Sequence, residues 1–120
     1  MSDEMKKTIF CDIDGCIIKH NGNLTTQLLM EAELLPGAID KINEWNYMGY
    51  TLILTTGRKE SMRKKTEQDL ENLGVFYDKL IMGLPRGERV VINDKKYGSE
   101  EDQASAINLT RNEGIGSIRI

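Results

Sequence analysis

The sequence predicts an α/β fold, a mostly parallel sheet covered by helices, and three observations carry that prediction. Short apolar runs alternate with helix-like segments: "TIFCD", "YTLILT", "DKLIMG", "RVVIND" and a terminal "SIRI". Hydrophobicity is continuous rather than alternating in "TLIL" and "RVVI", as in strands buried on both faces. A chain of 120 residues supports one core, and no linker, repeat or low-complexity tract divides it, so residues 1–120 read as a single domain.

The elements follow in order. "TIFCD" opens the sheet. "CIIKHNGNLT" reads as a hairpin, because Asn21-Gly22 supplies turn chemistry between two short extended arms. "TTQLLMEAELL" reads as a short helix or an ordered loop. "PGAIDKINEWNYMG" is a helix: Pro36 suits the first turn, Ala38, Ile42 and Trp45 share a face, and Gly49 closes the end. After "YTLILT", residues 59–73 form a more polar helix with Met62, Leu70 and Leu73 inward and Gly74 as its stop. "RVVIND" is the fourth strand. Ser99 and Asp102 have capping-box spacing for a helix ending at Gly114, and the last strand follows.

Composition excludes several classes. The hydrophobic residues make 39% of the chain and the net charge is −3, which argues against global disorder and against the basic footprint of a general nucleic-acid binder. No apolar stretch suits a signal peptide or a membrane span. Cys11 and Cys16 have neither metal-ligand nor disulfide-framework spacing, so reduced thiols in a cytoplasmic protein are expected.

The chemistry gathers at strand ends, where ligands bind in parallel α/β sheets. The first strand ends in Asp12-Ile13-Asp14-Gly15, the second in Thr55-Thr56-Gly57-Arg58, and the fourth in Asn93-Asp94-Lys95-Lys96. Carboxylates brought this close repel, which raises a pKa or demands a cation. Oxygen ligands of this kind suit Mg²⁺ when a phosphate completes its shell. Different environments can divide labour between Asp12 and Asp14, one attacking and one carrying a proton. Gly15 lets the backbone turn sharply beside a bound anion.

At these residues the sequence resembles the haloacid dehalogenase superfamily of phosphohydrolases. "DIDGC" matches the D-x-D-G-[T/V] nucleophile signature, with cysteine at the usual Thr or Val site. "LILTTGR" resembles the second motif and "VVINDKK" the fourth. The resemblance implies a three-layer Rossmann-like fold. About twenty residues between Asp14 and Pro36 leave no room for a cap domain. It further implies that Asp12 is the nucleophile forming an aspartyl-phosphate and Asp14 the general acid and base. Mg²⁺ would be held by Asp12, the main-chain carbonyl of Asp14, Asp94 and, directly or through water, Asn93, which stands where relatives commonly have a second acid. Thr56, with Thr55 as runner-up, and Gly57 would meet the phosphoryl group. The family's third-motif lysine is missing from "GLPRGERVV"; Arg86 is the first candidate for the compensating cation, then Arg89 and Lys79.

The expected function is therefore a Mg²⁺-dependent phosphomonoester hydrolase. Its substrate is expected to be a phosphorylated sugar or similar metabolite, with no nucleic acid and no membrane as partner. Polynucleotide-end or phosphoprotein phosphatases are the alternatives, and a non-catalytic phosphate- or metal-binding module is the rival. An open site invites cover from a bulky substrate or from a second copy of the chain. Simpler readings stand beside these: the basic run Arg58–Lys65 as a solvated helix face, His20 as a solvated loop residue, Cys16 and Trp45 as packing residues.

Overall fold

The computed structural model describes residues 5–120. Its sheet has three parallel strands in the order β1 (Thr8–Asp12), β2 (Thr51–Thr55), β3 (Lys79–Ile81). Between β1 and β2 lie α1 (Leu24–Leu29) and α2 (Ala38–Tyr47); between β2 and β3 lie a 3₁₀ turn, Glu60–Met62, and α3 (Arg63–Asn72). This is the Rossmann-like α/β class that the sequence predicts, and parallel pairing requires helical crossovers of this kind.

Cross-strand register sets what each sheet face carries. Cys11 pairs with Leu54, and Leu54 with Leu80, so their side chains share a face. There Cys11, Leu52 and Leu54 join Ala38, Ile42 and Trp45 of α2 and Leu70 of α3 in one buried cluster. The inward residues of α2 are those predicted from periodicity, because a one-sided apolar stripe has only one low-energy way to face a sheet. For the second predicted helix Leu70 is buried as expected, Met62 is buried in the 3₁₀ turn, Leu73 is only partly buried, and the polar Thr66 is buried as well. Gly74, at φ +75°, ends α3 as expected.

Four expected elements differ. The turn at Asn21-Gly22 does not close a short hairpin; Asn23 instead caps α1, accepting from Thr26 N at 2.9 Å. The return arm comes later: Lys19 N donates to Glu33 O at 2.8 Å and Leu35 N to Ile17 O at 2.9 Å. An N-cap side chain competes with strand continuation, and here it wins. "RVVIND" is not a strand, and neither the C-terminal helix nor the "SIRI" strand forms. Val90, Val91 and Ile92 stand 69%, 62% and 93% exposed. A strand exists only through its neighbour's hydrogen bonds, so propensity without a partner leaves an extended coil. The opposite sheet face is correspondingly bare, with Phe10 60% exposed. The radius of gyration is 15.3 Å, against about 13.6 Å for a compact chain of this length.

The chain nevertheless returns. Ile115 is buried, and Gly116 passes so close to the start of α2 that an added Cβ would sit 2.6 Å from Pro36 O. Only a residue without a side chain fits that backbone-to-backbone contact. Among the described residues, no helix is long and apolar enough to cross a membrane.

Candidate active site

Asp12 is the last residue of β1, and the loop after it is wound tightly on itself. Ile17 N donates to Ile13 O at 2.9 Å and Gly15 N to Ile18 O at 2.7 Å. Gly15 sits at φ +92°, a conformation costly to any residue with a Cβ, which accounts for glycine at this point. The loop projects Asp12 and Asp14 at the carboxyl end of the sheet, where the fold class places ligands.

The two carboxylates have different surroundings. Asp12 accepts one hydrogen bond, from Ile13 N at 3.1 Å. Asp14 is gripped: Arg58 donates through Nε to Oδ2 at 2.8 Å and through Nη2 to Oδ1 at 2.7 Å, and Gln27 Nε2 adds 2.7 Å to Oδ1. The Arg58 side chain is 3% exposed and that of Asp14 15%. Arg58 is held from behind by Thr66 Oγ1 at 3.1 Å and lies 3.7 Å from Asp69, which Lys65 pairs in turn. Burial acts to lower the Arg58 pKa, but the hydrogen bond and charge of Asp14, with Asp69, outweigh it and the net shift is upward. The bidentate guanidinium and the Gln27 amide together fix the orientation of the Asp14 carboxyl group.

The pKa of Asp12 is raised, first by desolvation and then by the charge of Asp14; the Ile13 N–H, Arg89 and His20 pull it down. The residue as a whole is solvent-exposed, so it is the carboxylate's immediate surroundings that thin the water. For a nucleophile that must be ionised, the sign is clear: protonation sets in at higher pH than for a free aspartate. In the metal-free protein, the Asp12 carboxyl-carbon resonance is expected to titrate with a midpoint above 3.8, its ordinary value. The same shift means that the folded state gains stability as pH falls through that midpoint. A midpoint at or below the ordinary value would remove the claimed strain between the two acids.

The thiols are inert. Burial, then Cys16 and Asp12, push Cys11 to about 12; burial, then the two aspartates, push Cys16 to about 11. Both stay protonated at neutral pH and are poor nucleophiles, in agreement with the packing role expected of Cys16.

The second strand end is stitched down by Thr56 N to Ile81 O at 3.0 Å, Leu84 N to Thr56 O at 3.1 Å and Gly83 N to Arg58 O at 2.7 Å. Register pairs Asp12 with Thr55, so these two side chains share a face. Thr56 is buried, and its hydroxyl accepts from Arg58 N at 3.1 Å. Gly57 is exposed between them.

The remaining expected residues lie in the exposed stretch after β3. Arg86, Arg89, Asn93 and Asp94 are all exposed there. Arg89 donates to Pro85 O at 3.0 Å and Gly87 O at 3.1 Å, and its charge acts on Asp12. Lys79 is on β3, exposed. Among the described residues no three Asp, Glu, His or Cys side chains are grouped to hold a metal. With Asp14 committed to Arg58 and Gln27, Asp12 is the one free carboxylate at the loop, too few donors for a Mg²⁺ shell in this arrangement.

Sequence reasoning placed Arg58 at the second strand end but gave it no role there, and read the basic run that it heads as a solvated helix face. Lys59 and Lys64 of that run are exposed as expected, while Arg58 is buried. Its position directly after a strand-end Thr-Gly pair, opposite two aspartates needing charge compensation, was the available signal. Gln27, 13 residues from its partner Asp14, had none.

No family model and no curated protein matches the chain. Among solved structures it is similar to a chain of a Pnkp1/Rnl/Hen1 complex, at 26% identity and TM-score 0.57, over 68% of this chain and 29% of that one. It is also similar to a chain of the Pnkp1/Rnl/Hen1 RNA repair complex, at 28% identity and TM-score 0.55, over 64% and 25%. A third likeness, at 20% identity and TM-score 0.48 over 68% and 51%, is to a D,D-heptose 1,7-bisphosphate phosphatase from B. bronchiseptica. The chain thus spans less than a third of the first two chains that it resembles.

Proposed function

We propose that this haloacid dehalogenase-type α/β chain is a phosphomonoester hydrolase in which Asp12 is the nucleophile. The observation that carries the reading is the unequal pair: Asp12 exposed at the strand end, Asp14 pinned on the same loop by Arg58 and Gln27. An Asp12 oxygen attacks phosphorus as the ester bond breaks, leaving an aspartyl-phosphate and an alcohol that takes a proton. Water then attacks phosphorus, loses a proton to Asp14 and releases inorganic phosphate and free Asp12. Asp14 as a positioned carboxylate suits the second step. Donating a proton in the first requires that it be protonated and that Arg58 loosen its grip.

Phosphate is met by cations and hydroxyls around Asp12. Arg89 is preferred to Arg86 as the first choice, because of these two arginines it is Arg89 whose charge acts on Asp12. Thr55, beside Asp12, is preferred over the buried Thr56. Thr55→Val is accordingly expected to lower kcat/KM with little change in melting temperature. Thr56→Val is expected to leave the Arg58 N–H without its acceptor and to cost about 1–2 kcal/mol of stability. Reversed outcomes in paired assays of turnover and thermal unfolding would return the role to Thr56.

Mg²⁺ dependence belongs to the same proposal on one condition. Among the described residues the outer edge of β1 is unpaired, and Val90–Ile92 is an apolar, strand-forming run exposed to water. Addition of that run to β1 would carry Asp94, with Asn93, toward Asp12 and the Asp14 carbonyl, supplying the missing donors. The ion would neutralise charge on the transferring phosphoryl group. The test is hydrolysis of p-nitrophenyl phosphate with Mg²⁺ and with a chelator. Turnover that needs the metal supports the enzyme, and phosphate binding without turnover supports the non-catalytic module.

For the substrate, a phosphorylated sugar or similar metabolite suits the net acidic charge. The likeness to chains of an RNA repair complex favours a second reading, a polynucleotide end. A panel of sugar phosphates and 3′- and 5′-phosphorylated oligonucleotides separates the two by kcat/KM.

A further inference from the structure

We infer that Asn112 is a positioning residue of this site, its side-chain amide clamping the backbone of His20 while its own N–H holds Gly15. The inference rests on the phosphatase reading only for its catalytic consequence. His20 N donates to Asn112 Oδ1 at 2.7 Å, and Asn112 Nδ2 donates to His20 O at 3.1 Å. Asn112 N donates to Gly15 O at 2.9 Å, and Ile115 N to Cys16 O at 3.1 Å. Four hydrogen bonds thus tie a C-terminal turn to the acidic loop and to the turn that follows it.

The arrangement closes a ring. From Asp14 it runs through Gln27 to Asn21, whose N–H donates to Gln27 Oε1 at 2.8 Å. Next to Asn21 is His20, and Asn112 leads from His20 back to Gly15. Within the ring the His20 ring is also fixed, since Gly22 N donates to its Nδ1 at 3.1 Å. A side chain 92 residues away in sequence therefore sets the relation between the turn at His20 and the carboxylates. His20 is close enough for its charge to act on Asp12.

Asn112 has the conformation that this job demands. Its φ of 65° lies in the left-handed region, which asparagine tolerates better than other side-chain-bearing residues. The turn is anchored independently of the Asn112 side chain, by buried Ile115 and by Gly116 against Pro36. Replacing Asn112 by glycine keeps the backbone comfortable and removes only the clamp on His20.

For Asn112→Gly, the amide of His20 is expected to exchange hydrogen at least about tenfold faster, with the Leu54 amide in β2 unchanged. With p-nitrophenyl phosphate, kcat is expected to fall about tenfold and KM to change by less than about twofold, since the acids are misoriented rather than lost. Asn112→Asp, which keeps the oxygen and loses the amide donor, is expected to lie between wild type and Asn112→Gly. Unchanged His20 exchange in Asn112→Gly would overturn the clamp, and faster exchange with unchanged kcat would overturn its catalytic role. An inactive wild type would end the phosphatase reading, while His20 exchange would still decide for or against the clamp.

Discussion

Asp12→Asn is expected to lower phosphatase turnover by at least about 10³-fold while leaving the melting temperature unchanged or slightly raised. The amide cannot form the acyl phosphate on which both half-reactions depend. Stability moves the other way for an electrostatic reason. Ionised Asp12 pays for desolvation and for the neighbouring charge of Asp14, and a neutral isostere removes both penalties. Residues kept for catalysis against their own stability behave in this manner. Turnover by Asp12→Asn within about tenfold of wild type, with the fold intact by circular dichroism, would assign the nucleophile elsewhere.

Arg58→Met is expected to be the most destabilising single change at the site, about 3 kcal/mol, which is a large part of the stability of a small domain. Methionine fills much of the volume but removes both hydrogen bonds to Asp14 and the contact with Thr66. Asp14 is left largely buried with Gln27 as its remaining side-chain donor. The pair need not be strongly stabilising for this to hold, because the cost lies in the uncompensated charge. In thermal unfolding the shift is on the order of 10 °C. Adding Asp14→Asn to Arg58→Met is expected to recover part of the loss, a coupling that a double-mutant cycle isolates. A melting temperature within about 2 °C of wild type for Arg58→Met would show that water, rather than Arg58, compensates Asp14.

The legibility of the site in the sequence divides by distance along the chain. Asp12, Asp14 and Gly15 were readable because a strand, its terminal acids and a tight turn are contiguous, and local sterics dictate their form. The inward faces of α2 and α3 were readable because helical period alone selects Ala38, Ile42, Trp45 and Leu70. The partners of Asp14 were not: Arg58 looks like one of many surface cations until the loop after β2 turns it inward. Asn112 looked like part of a helix, and its role follows from a turn pinned by Gly116 on Pro36.

The sequence by itself determined the α/β class, the segments that become β1, β2 and β3, the apolar face of α2 and the acidic loop at the end of β1, since each depends on residues within a few positions of one another. Tertiary structure alone decided that Asp14 is paired with Arg58, that Thr55 rather than Thr56 shares the face of Asp12, and that Val90–Ile92 stays outside the sheet. Apolar periodicity states a preference for burial, whereas pairing, register and charge compensation are settled only by which distant backbone and side-chain groups are present to complete the hydrogen bonds.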